Sequence, residues 1–151
     1  MMMQMWLQIA CTATMGIMAG IYLIFSTTIM PSLKEVDNGA FVMAKINEVI
    51  LNPVFKSIFF FSGISSAYLG MFANSTDLAF RVACLVFFIG TFLVTVFRNV
   101  PLNNELKQAT MAQNKVNNVW NSYLASWVRW NHVRSICAIS AAGLACLSSY
   151  N

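Results

Sequence analysis

Four apolar stretches, separated by polar connections, set the pattern of this chain. They cover about residues 5–30, 57–73, 78–97 and 133–150. Crossing a bilayer takes about 20 apolar residues, with about 17 as a practical floor. The second and fourth stretches lie near that floor, so their flanks contribute to the span. In lipid each segment must close its own backbone hydrogen bonds, which makes these stretches helices. The two-residue alternation of a membrane barrel is absent. The pattern predicts an all-α integral membrane protein, a multi-pass four-helix bundle formed by residues 1–151 as one domain. Met1 to Trp6 contains no Lys or Arg. A secretory signal opens on a basic region, so the first stretch is expected to be a retained span.

Small residues mark where helices can approach closely: Gly16 with Gly20, Gly63 with Ala67, Ser66 with Gly70, and the row Ala138, Ala142, Cys146. Such faces let backbones pack in lipid, and a spare one leaves room for a homo-oligomer or a larger membrane complex. The first connection is long. Ser32 and Glu35 have the spacing of a capping box, and an interfacial helix carrying Phe41, Ala44, Val49 and Ile50 follows. Asn38-Gly39 is a break point, and Asn52-Pro53 ends the helix. Asp77 or Thr76 can cap the third span. Asn99-Val100-Pro101-Leu102-Asn103 is expected to open the third connection as a turn. From about Asn117 a helix is expected to run unbroken into the fourth span.

Composition agrees with the membrane assignment. Of 151 residues 58% are hydrophobic and 9% charged, against roughly 25% charged in soluble domains. The net charge of +4 forms no basic stripe, which argues against nucleic-acid binding. Connections one and three carry Lys34, Lys45, Lys56, Arg98, Lys107, Lys115, Arg129 and Arg134. The positive-inside rule places both connections in the cytoplasm. Cys11, Cys84, Cys137 and Cys146 lie in apolar stretches without a CxxC spacing, so they act as small hydrophobes.

One dense polar-aromatic run stands out. Trp120, Tyr123, Trp127, Trp130, Asn131 and Arg134 recur at steps of three and four and share one broad helical face. His132, the single histidine, lies about 100° round from Asn131 and borders that face. An interfacial aromatic belt accounts for Trp and Tyr alone. It leaves unexplained the polar groups beside them, which are costly at a membrane boundary. Asn47, Asn52, Asn99 and Asn103 belong to connections on the same side of the bundle. Together these residues suit a pocket for a flat, apolar, oxygen-bearing ligand such as a phenol or quinone. An imidazole can take a proton near neutral pH. Asn and Arg can stabilise the enolate or phenolate formed. One histidine without a carboxylate cluster provides no metal set. As an axial haem ligand it would need a Met or a second subunit's His, which makes haem the weaker reading.

Several blocks together resemble the anthrone oxygenase family of small four-helix membrane proteins, formerly catalogued as a domain of unknown function. They are Met30-Pro31-Ser32-Leu33, Ile46-Asn47, Asn52-Pro53-Val54-Phe55, Asn99-Val100-Pro101-Leu102-Asn103-Asn104, and Trp120 through Tyr123 and Trp127 to Trp130-Asn131-His132-Val133-Arg134. The resemblance implies oxidation of an anthrone to an anthraquinone, with dioxygen as co-substrate and no bound organic cofactor. On that basis His132 is the expected base. Arg134, Asn131 and Asn103 would stabilise the anion. Trp120, Tyr123, Trp127, Trp130, Asn99, Asn52 and Asn47 would line the substrate site. The competing expectation is a non-catalytic membrane subunit, or a module that binds a quinone, lipid or haem within a larger complex. Expected partners are the lipid bilayer and an aromatic small molecule.

Overall fold

The computed structural model describes residues 2–73 and 77–148. Thr76, one of the two expected caps, and residues 149–151 at the end of the last stretch lie outside the described residues. Among the described residues there are five helices and no strand. They are α1 (Met2–Lys34), α2 (Gly39–Val49), α3 (Pro53–Met71), α4 (Leu78–Ala112) and α5 (Val116–Ser148). Of these, α1, α3 and α4 are long and apolar enough to cross a membrane, as an integral membrane protein requires.

Two expected breaks do not occur. The chain stays helical through Pro31 and through Pro101, so α1 and α4 are 33 and 35 residues long. A proline inside a helix removes one donor and crowds the carbonyl four residues back. Here a widened turn takes up that strain. The residue before each proline reaches five residues back: Met30 N–H donates to Phe25 O, and Val100 N–H to Thr95 O. Ser32 therefore lies inside α1 and is not a helix cap. Its hydroxyl donates to Thr28 O at 2.8 Å.

Other boundaries follow local chemistry. Gly39 opens α2, where a Cβ would stand 2.0 Å from Leu33 O, so only glycine fits the approach. Asn52 caps α3 by accepting from Phe55 N–H at 3.0 Å. Asp77 caps α4 by accepting from Ala79 N–H at 2.9 Å. Gln113 and Lys115, at φ 50° and 52°, make the tight left-handed turn into α5.

The long helices pack in the cyclic order α1, α3, α4, α5, with α5 closing back on α1. Gly63 and Gly70 on α3 meet Phe92 and Leu85 of α4, and Gly90 on α4 meets Cys137 of α5. Gly16 and Gly20, by contrast, face no atom within 4 Å. On α5 the buried alanines are Ala138, Ala141 and Ala145; of the row expected there, Ala142 is half-buried and Cys146 exposed. Buried Cys11 and Cys84 belong to the same apolar core as these alanines. A second core, around Phe25, Met30, Leu33, Met43, Leu106, Tyr123 and Trp127, lies beneath α2. The polar site sits where the two cores meet.

Candidate functional site

Arg134 is the centre of the site. It is 4% exposed and lies deep on α5. One terminal nitrogen donates to Asn131 Oδ1 and the other to Thr95 Oγ1 at 3.2 Å. The guanidinium carbon lies 4.4 Å from the Tyr22 ring centroid and 5.2 Å from that of Trp127. Each such cation–π contact is worth up to about 2 kcal/mol when desolvated. Among the described residues no carboxylate comes within ion-pair distance of it, and the ion pair that forms is Lys45–Glu48, on the surface. Arg134 Nε is buried without a hydrogen-bond partner, as are Trp127 Nε1 and Asn99 Oδ1. Taking a charge out of water costs several kcal/mol per ion even after relaxation, so a lone buried cation is a strong electrostatic attractor.

The backbone turns forced by proline help to build this place. The widened turn at Phe25 brings Phe25 to 5.9 Å from Trp127, ring to ring. The one beginning at Thr95 places that hydroxyl against Arg134 and buries Asn99, whose Nδ2 donates to Trp127 O at 3.4 Å. Asn131 is fully buried and ties α5 to α1 through Nδ2, which donates to Tyr22 O at 3.0 Å and Ser26 Oγ at 2.6 Å.

Along α5 the rings of Trp120, Tyr123 and Trp127 form a continuous stack, with centroids 5.6 and 5.5 Å apart. The Tyr123 hydroxyl joins two elements. It donates to Asn103 Oδ1 on α4 at 2.8 Å and accepts from Asn47 Nδ2 on α2 at 3.3 Å. Burial pushes the Tyr123 phenol above its ordinary value, while the Asn47 hydrogen bond works the other way. Tyr123 thus stays a neutral donor.

These groups surround a cavity of about 70 Å³, lined on its polar side by Asn47, Asn103, Thr95, Tyr22 and Arg134. Trp127 and Phe25 wall it, and Ile50, Leu51 and Phe55 stand at the connection between α2 and α3. The structure thus brings together Asn47, Asn103, Trp127 and Arg134, with Asn99, Asn131 and Tyr123 supporting them from behind.

Four expected site residues stand elsewhere. His132 is exposed and lines a separate groove on the far side of α5, with Ser26 and Lys34. The two residues between positions 132 and 134 amount to about 200° of helical rotation, which turns His132 away from Arg134, so the two do not share a chamber. Trp130 holds Arg98 and Arg129 over its ring, at 5.1 and 5.7 Å. Asn52 serves as the α3 cap. Trp120 only extends the aromatic stack. Sequence reasoning missed Tyr22, Phe25 and Thr95. Tyr22 carried a signal, being the single tyrosine in an otherwise apolar first stretch. Among the described residues no group of three His, Cys, Asp or Glu side chains is placed to hold a metal ion.

A family model described as anthrone oxygenase matches residues 41–144. That range holds every polar residue of the chamber except Tyr22. No curated protein and no solved structure matches the chain.

Proposed function

This chain belongs to the anthrone oxygenase family, and from that premise we propose that it oxidises an anthrone-like or phenolic aromatic with dioxygen, without a bound organic cofactor, in the chamber before Arg134. The observation that carries this reading is the buried Arg134 guanidinium, which has no carboxylate partner among the described residues. Such a cation favours the ionised form of a bound phenol or enol.

The chemistry then needs little more from the protein. The enol form of an anthrone loses its proton to water at the chamber mouth. Arg134 and the Asn103 amide hold the resulting oxyanion, and Trp127 and Phe25 flank the ring. The electron-rich anion reduces dioxygen and forms a carbon–oxygen bond at the benzylic carbon. The hydroperoxide produced takes up a proton, then loses water as its O–O bond breaks and the second benzylic hydrogen leaves. One CH2 and one O2 become one C=O and one H2O. A cavity of about 70 Å³ accepts the oxygenated edge of a fused ring system. The remaining rings would lie against Ile50, Leu51 and Phe55. Four membrane passes, with α5 as the fourth and the chamber on the cytoplasmic side, complete this reading.

One observation favours a second reading, a binding module for a quinone, lipid or haem without turnover. With His132 outside the chamber, its polar lining holds amide, hydroxyl, phenol and guanidinium groups, and none is a general base of ordinary strength. Oxygen uptake by purified protein with a simple anthrone decides between them, wild type beside Arg134→Gln. Uptake that requires Arg134 supports the oxygenase. Tight ligand binding by wild type without uptake supports the module, and a Soret band would identify haem as the ligand.

A further inference from the structure

The groove that holds His132 has a volume of about 600 Å³. It shares a wall with the chamber. Phe25 and Trp127 face inward, while their neighbours Ser26 and Val128 face the groove. Asn131 is the partition: its oxygen accepts from Arg134 on the chamber side, and its nitrogen donates to Ser26 on the groove side.

The two cavities differ in chemistry. The chamber presents a buried cation, which suits an anion. The groove presents nitrogen donors at two ends of an apolar floor made by Met30, Leu124 and Val128. His132 stands at the end near Ser26, and Lys34 and Asn121 at the other. Ser26 and Lys34 are eight residues apart on α1, so the ends are separated by about 12 Å at 1.5 Å per residue. An imidazole has at least one N–H in either protonation state, and an ammonium has three. Two donors across a flat apolar floor match a neutral diketone, which offers an acceptor at each edge and carries no charge for Arg134 to hold.

We propose that this groove binds the neutral quinone product, outside the chamber in which it forms. The proposal rests on the oxygenase reading for the identity of the ligand. Its physical content, a second site for a planar diketone, stands apart from turnover. Loss of the anionic charge on oxidation removes the attraction to Arg134, and the groove next to Asn131 offers the product new hydrogen bonds.

The test is equilibrium binding of 9,10-anthraquinone, a diketone with no phenol to ionise, without oxygen, to the full chain in phosphatidylcholine nanodiscs. His132→Leu with Lys34→Met should weaken binding tenfold or more, whereas Asn103→Ala, in the chamber, should change it less than twofold. His132→Gln, which keeps a donor, should recover most of the affinity. Unchanged binding in the double variant would overturn the proposal, as would a loss caused by Asn103→Ala instead. Displacement of the quinone on moving to phosphatidylglycerol nanodiscs would assign the groove to an anionic lipid headgroup and overturn it too. Because no turnover is measured, a chain that consumes no oxygen can still pass or fail this test.

Discussion

Asn131 holds Arg134 from three residues back on the same helix, and the amide has no charge to cancel the guanidinium. A carboxylate at that position would make a short buried ion pair. Asn131→Asp should therefore keep the protein folded while abolishing its attraction for anions. It loses the donation to Tyr22 O and gains a charge-assisted bond to Arg134. The expected result is a melting temperature near wild type with oxygen uptake down by about 100-fold, the scale of losing one preorganised anion-stabilising group. Uptake close to wild type would show that the free charge of Arg134 is not used.

Arg134→Lys asks whether charge alone suffices. Lysine is a point charge without the planar fork that reaches both Asn131 and Thr95. We expect uptake between wild type and Arg134→Gln, and Arg134→Gln itself lower than wild type by about 10²- to 10³-fold. His132→Ala, whose side chain lies in the groove, should fall several-fold at most. A collapse as deep as that of Arg134→Gln would return His132 to the role of base.

Tyr123→Phe removes the hydroxyl that joins α2 to α4. The rings still stack, and the two asparagines lose their shared partner. Each lost hydrogen bond costs about 1 kcal/mol net. The expected outcome is a lower melting temperature and weaker substrate binding, with the rate at saturation less affected.

Gly63 and Gly16 should respond oppositely to alanine. A Cβ at Gly63 would stand 2.1 Å from the Phe92 ring, and at Gly16 it meets nothing within 4 Å. Overpacking costs about 1–3 kcal/mol, so Gly63→Ala should lower the detergent melting temperature. Gly16→Ala should leave it unchanged or raise it, because alanine favours helix by about 1 kcal/mol over glycine. Gly16→Leu measured by size-exclusion chromatography tests the homo-oligomer: a shift from dimer to monomer would locate that contact on α1.

The apolar stretches determined by themselves that this is a helical membrane protein, because length and hydropathy are summed along one segment and need no partner. The cap at Asp77, the break at Asn38-Gly39 and the helix end at Asn52-Pro53 were legible for the same reason: each depends on atoms a few residues apart. The blocks around Asn47, Asn99, Asn103 and Trp127 to Arg134 stood out in the sequence because polar groups are conspicuous in an apolar chain. Tertiary structure alone decided which of them meet. Pro31 and Pro101 looked like stops, yet packing stabilises helix on both sides and a wide turn absorbs the strain. Those same turns bring Phe25 and Thr95 to Arg134 from positions 109 and 39 residues away. Asn131 and His132 are neighbours in sequence, but about 100° of helical rotation puts one in the buried wall behind Arg134 and the other in the groove. Which side faces which cavity depends on where α1 and α4 lie against α5, and no pattern within α5 contains that information.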